Sequence, residues 1–154
     1  MKRKEMDERT AISGLYLSWA QGTALYVKYA ELRRVSYSEL MVLDMMLEAG
    51  RLTQRELSLR CELTKQTVNQ TVKKLRESGY LVMENDPSDR RRKVLAFTEA
   101  GRRHAVDIAE PLRQMEAQVF QAVGPERMAA MKETSDLFNW FMGRELARFA
   151  ERKP

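Results

Sequence analysis

The 154-residue chain has a single cysteine, Cys61, and a single histidine, His104. One thiol excludes an intrachain disulfide and any cysteine-rich metal site, and one imidazole excludes zinc patterns built on a His pair. The same scarcity removes nucleophile–His–carboxylate catalysis, and neither a Gly-rich phosphate loop nor metal-ligand spacing is present. No enzyme, metal or cofactor is therefore expected. Seven glycines and four prolines leave little room for low-complexity linker. Long apolar runs are also missing: the nearest, Thr10–Val27, has 18 uncharged residues of which 11 are apolar, interrupted by Ser13, Ser18, Gln21 and Thr23. A bilayer span needs about 20 mostly apolar residues, so this stretch is expected to be a buried helix with no membrane partner. Glu5, Asp7 and Glu8 spoil the basic start of a signal peptide, and a cytoplasmic protein is expected.

What the chain does have is enough apolar material for a core, 44% hydrophobic residues beside 32% charged ones. Its net charge of +5 is unevenly spread. Between Arg51 and Arg103 lie 13 Lys/Arg against 7 Asp/Glu, so the whole excess sits in the middle third. A localised positive surface suits a polyphosphate partner, although membranes and acidic proteins attract it too.

Periodicity organises the rest. Residues 1–9 read as a charged tail, in which Lys2, Arg3 and Lys4 are expected to be disordered. Ile12, Leu15, Tyr16, Trp19, Tyr26 and Tyr29 recur at helical spacing up to Arg34. Ser36 and Glu39, then Thr53 and Glu56, have the spacing of capping boxes opening a second helix, Leu40–Glu48, and a short third one. After a turn at Glu62-Leu63, Thr64 caps a fourth helix that Gly79 stops. The period then shortens to two in Tyr80–Glu84 and Lys93–Phe97, a hairpin around Asn85–Arg92. A fifth helix, kinked or split at Pro111, and a sixth from Gly124 to about Ala150 complete the chain.

Two short helices, a tight turn and a hairpin are the order of a winged helix-turn-helix. On the fourth helix Val68, Val72 and Leu75 form a narrow apolar face, which leaves Gln66, Gln70 and Lys73 on the opposite side with Thr67 and Asn69 beside them. Gln and Asn amides can bond adenine N6 and N7 together in the major groove. Thr64, Lys65 and Lys74 suit phosphates, which set register without reading sequence. At the hairpin tip Arg90, Arg91, Arg92 and Lys93 follow Asp89, four adjacent cations that repel one another unless an anion is near. A narrow minor groove supplies one, and Asp89 is placed to hold the Arg91 guanidinium extended.

From Tyr37 to Gly101 the sequence resembles the MarR (multiple antibiotic resistance regulator) family of bacterial transcription factors. Its signature is Asp-x-Arg, five residues, then Leu-Thr. This chain reads Asp89-Arg90-Arg91, then Arg92 to Ala96, then Phe97-Thr98, with Phe in place of Leu. The segment Leu57–Thr64 looks like the family's helix-turn, and Gly79–Val82 like the approach to its wing. The resemblance implies a fold that is mainly α with a small β-wing, a winged helix-turn-helix plus a helical dimerisation lobe. Residues 1–35 and 101–154 would interleave in a homodimer, and residues 36–100 would bind double-stranded DNA. Arg91 would be the minor-groove arginine and Asp89 its orienting partner. Glu62 stands where a turn glycine is common, which predicts a strained or altered turn.

A ligand-responsive repressor on a pseudo-palindromic operator is the expected function. The alternative is a winged-helix module that docks an acidic protein partner. Tyr16, Trp19, Tyr26 and Tyr37, with Tyr29, are candidates for a small-molecule effector pocket, and Arg33 and Arg34 for an anion there, although aromatics at helical spacing more often pack in a core. Cys61 is expected to pack in the core, and His104 has no assigned role. The last helix carries Met128, Met131, Leu137, Phe138, Trp140, Phe141, Met142 and Phe149, an apolar face too wide for one contact, which calls for a partner subunit.

Overall fold

The computed structural model describes residues 7–89 and 91–152. Helix α1 spans Glu8–Leu32 and begins earlier than its apolar stripe, because the Asp7 carboxylate accepts the Thr10 backbone N–H at 3.1 Å. Helix α2, Tyr37–Ala49, starts where Ser36 Oγ accepts the Glu39 N–H at 3.1 Å and ends at Gly50, whose φ of 78° only glycine adopts without strain. Its capping box is half complete, since the Glu39 side chain turns inward to Lys74. Helix α3, Gln54–Arg60, has the whole box: Thr53 Oγ1 accepts the Glu56 N–H and Glu56 accepts the Thr53 N–H. Glu62 then adopts φ 52°, so the turn keeps a left-handed residue without glycine, at a cost of about 1–2 kcal/mol.

Helix α4, Lys65–Glu77, is capped by Thr64. Strands β1, Leu81–Asn85, and β2, Lys93–Phe97, pair antiparallel with Leu81 opposite Phe97 and Asn85 opposite Lys93. Leu52 bridges Leu95 as a third rung, and this ties the hairpin to the segment before α3. Helix α5 spans Glu99–Val123 and helix α6 Pro125–Glu151.

The core gathers Leu40, Leu43 and Met46 of α2, Leu57 of α3, Val68, Val72 and Leu75 of α4, Leu81 and Leu95 of the strands, and Ala30, Ala105 and Ile108. Each Val, Leu, Ile or Met among them stabilises the fold by about 1.5–3 kcal/mol when fully buried. Cys61 is part of this core; its Sγ lies 3.6 Å from the Met41 carbonyl and burial pushes its thiol pKa up.

Two sequence expectations change. The Thr10–Val27 stretch is helical but not buried: Ala30 is the only buried residue of α1, while Tyr16, Leu17, Trp19, Leu25 and Tyr26 are exposed. Its apolar residues lie around much of the helix, more than one neighbouring element covers. Nor does Pro111 break α5, which continues through it. Proline at 111 withholds a backbone donor from the Asp107 carbonyl one turn earlier. Arg33 Nη2 supplies it at 2.9 Å, and one turn back Tyr29 Oη donates to the Ile108 carbonyl at 2.6 Å.

The chain divides into two compact units within α5, between Leu112 and Arg113. In the first, the end of α1 and the first half of α5 join the winged core. In the second, α6 has no buried residue, and Leu137, Trp140, Phe141, Met142, Leu146 and Phe149 stand in solvent. Among the described residues, no helix is long and apolar enough to cross a membrane.

Candidate nucleic-acid interface

Helix α4 sorts its residues by face. Val68, Thr71, Val72 and Leu75 are buried, and the Thr71 hydroxyl lies 3.0 Å from Ser38 Oγ of α2. That seam fixes the helix's rotation, so Lys65, Gln66, Asn69, Gln70 and Lys73 face solvent together. Asn69, Gln70, Lys73 and Arg76 line a groove of about 310 Å³ with Val72 and with Gln54 of α3. Arg76 and Gln54 were not among the sequence candidates. Arg76 was legible as the last member of an i, i+4, i+7 row with Asn69 and Lys73. Gln54 was not, since only the α3–α4 packing brings it there.

Three other α4 candidates are otherwise engaged. Thr64 and Thr67 share a hydrogen bond between hydroxyls at 2.8 Å while Thr64 Oγ1 caps the Thr67 N–H, so half-buried Thr67 belongs to the cap more than to the outer face. Lys74 Nζ sits 2.6 Å from Glu39 Oε2. Glu39 is only 4% exposed, and a buried carboxylate without a cation would be strongly destabilising. Lys74 thus answers an internal charge, although much of its stem remains in solvent. His104 approaches the same carboxylate, Nε2 to Oε1 at 4.0 Å, with its ring stacked on Tyr80 at 4.2 Å.

The wing loop is ordered by short polar contacts. Asp86 Oδ1 accepts the Ser88 N–H at 2.9 Å and the Ser88 hydroxyl at 2.6 Å, and these bonds hold its carboxyl below the usual range. Asp89 Oδ1 accepts the Arg91 backbone N–H at 3.0 Å, so Asp89 orders the main chain and not the Arg91 guanidinium. Arg91 is exposed and makes no ion pair among the described residues. Arg92 turns back onto the body, pairing with Glu56 and Asp86. Glu56 is held at about 2, first by the Thr53 N–H and next by Arg92. Arg90 lies outside the described residues.

Tyr16 and Trp19 meet edge to face at 5.5 Å on the exposed side of α1, Tyr26 is exposed further along it, and Tyr37 is half-buried at the start of α2. Tyr29 and Arg33 are committed to the carbonyls beside Pro111.

Residues 35–92 match the model of the MarR family. Over 77 residues the chain is 35% identical to YcgE of Bacillus subtilis (strain 168), an uncharacterised HTH-type transcriptional regulator, an alignment covering 50% of each protein. The chain therefore spans about half the length of that curated relative. Among solved structures, NMB1585, a MarR family regulator from Neisseria meningitidis, superposes with a TM-score of 0.80 at 22% identity, covering 93% of this chain and 99% of that one. CouR from Rhodococcus jostii RHA1, in its structure bound to p-coumaroyl-CoA, gives a TM-score of 0.66 at 27% identity over 79% of this chain and 87% of its own. The matched segment contains the capped helix-turn-helix and most of the wing; over it the chain is similar to the MarR family, and the fold around it is the one NMB1585 has.

Proposed function

We propose that this protein is a DNA-binding transcriptional regulator, acting as a homodimer on a pseudo-palindromic duplex site, and that it represses until a small ligand releases it. One observation carries the reading: the α4 seam turns Gln66, Asn69, Gln70 and Lys73 outward together. In this reading α4 enters the major groove, where Gln66 and Gln70 read bases. Lys65, Lys73 and Arg76 meet phosphates and Arg91 enters the minor groove.

Two copies are supported by the apolar residues that α1 and α6 expose, among them Tyr16, Leu17 and Leu25 of α1 and Leu137, Trp140, Phe141 and Phe149 of α6. Two-fold symmetry would then space half-sites by about 34–36 Å. The effector rests on the exposed Tyr16, Trp19 and Tyr26, and on the aromatic acyl thioester named in the CouR structure.

Selection of bound duplexes from a random pool tests the reading. A two-fold symmetric winner, bound at least about 10³ tighter than random DNA and weakening steeply with salt, is expected. Binding without sequence preference, or a monomer in sedimentation at micromolar concentration, would overturn it.

A further inference from the structure

We propose that Arg92 is a positioning residue of the wing. It acts through Glu56 and Asp86 to hold the loop carrying Arg91 against the first turn of α3, and it does not itself touch nucleic acid. The proposal rests on the DNA-binding reading above and assigns the neighbouring cations of the wing different work.

The guanidinium bridges two elements. Nη2 meets Glu56 Oε1 of α3 at 2.5 Å, and Nη1 lies 3.3 Å from Asp86 Oδ2 at the start of the wing loop. Both acceptors are already fixed. Glu56 Oε2 takes the Thr53 N–H at 2.8 Å and the Thr53 hydroxyl at 2.9 Å, while Asp86 Oδ1 holds Ser88. An exposed ion pair ordinarily adds little because two floppy side chains must be ordered. Here the carboxylates are ordered beforehand and only the arginine is restrained.

The backbone places Arg92 where the loop closes. Its carbonyl accepts the Asp86 N–H at 2.8 Å and its N–H donates to the Asp89 carbonyl at 2.9 Å. Closer to the core, the Leu52–Leu95 bridge and the Arg51–Glu84 pair at 3.2 Å join the hairpin to the same segment before α3. Arg92 is the outermost of these three fastenings, next in sequence to Arg91. With two carboxylates on its guanidinium, Arg92 offers a phosphate little uncompensated charge, whereas Arg91 keeps all of its own.

The test measures affinity, salt slope and flank preference on the selected duplex for wild type, Arg91→Ala, Arg92→Met, Glu56→Gln and the Arg91→Ala/Arg92→Met double variant. Gln at 56 keeps an acceptor for the Thr53 cap and removes the charge. Arg92→Met and Glu56→Gln are expected to lose affinity by the same factor, about 10-fold, and to relax preference at the base pairs flanking each half-site. In the Arg91→Ala background, Arg92→Met should add less than about 2-fold and leave the salt slope unchanged, whereas a lost phosphate contact would lower it by about 0.9. Arg92→Lys, which reaches one carboxylate, should restore part of the loss. An additive loss with a reduced slope, or a Glu56→Gln variant that binds like wild type, overturns the proposal. A wild type without duplex preference overturns the DNA reading instead. Amide exchange at Ser88, Asp89 and Arg91 then decides the tether alone: faster exchange in Arg92→Met supports it, and unchanged exchange overturns it.

Discussion

Gly101 gives a sharp test of how the wing is seated. It lies in the first turn of α5, and a Cβ built there would be 1.8 Å from the Tyr80 carbonyl oxygen and 2.6 Å from the carbonyl carbon. Those are backbone atoms, and they are pinned. The Tyr80 N–H donates to the Leu75 carbonyl at 2.9 Å, the Tyr80 carbonyl accepts the Thr98 N–H at 3.1 Å, and Thr98 Oγ1 donates to Gly79 at 2.7 Å. Alanine normally favours a helix over glycine by about 1 kcal/mol. Here that gain is opposed by overpacking, which costs about 1–3 kcal/mol and more where backbone must move. The clash is severe enough that Gly101→Ala should lose about 2 kcal/mol net. For a chain of this length each kcal/mol shifts Tm by about 2–4 °C, so the midpoint should fall by about 4–8 °C. The assay is thermal melting by circular dichroism at fixed protein concentration, because self-association moves Tm. Gly14→Ala is the control: nothing lies within 4 Å of its Cβ position in α1, and it should melt no lower than wild type. If Gly101→Ala melts at or above the wild-type midpoint, the close approach of α5 to Tyr80 is wrong.

Gln70→Ala should relax preference at one base-pair position in each half-site, by about 1–3 kcal/mol, as read by competition with substituted duplexes; a uniform loss across sequences would make it a backbone contact. Arg33→Met should lower stability in urea by about 1–3 kcal/mol, and by less in a Pro111→Ala background, where residue 111 regains the N–H that the Asp107 carbonyl lacks; equal costs in both backgrounds would refute the role given to that proline. The Glu56 carboxyl, lowered from 4.5 to about 2, binds its proton more weakly folded than unfolded. Its stabilisation is therefore complete above about pH 4.5 and is lost as pH falls through 2. Denaturation followed from pH 5 to pH 2 should show the gap between wild type and Glu56→Gln closing, and a constant gap would contradict the assignment.

Local chemistry made much of this protein legible without coordinates. Helix starts at Ser36, Thr53 and Thr64 follow from side chains bonding amides three residues on, and the stop at Gly50 from a backbone angle that glycine tolerates. The α4 faces follow from its period, because Val68, Val72 and Leu75 can share only one side of a helix. What periodicity could not supply was which long side chain finds which partner. Lys74 and Arg92 read in sequence as DNA contacts and Arg33 as a candidate for an anionic ligand, and the three are drawn to Glu39, Glu56 and the Asp107 carbonyl, each more than 30 residues away along the chain. Likewise the apolar content of α1 promised burial, but burial depends on a neighbour to supply it. Spacing along a chain determines which atoms can share a face, whereas pairing between faces is decided when packing brings distant segments within a few ångströms and charges desolvated there must find partners.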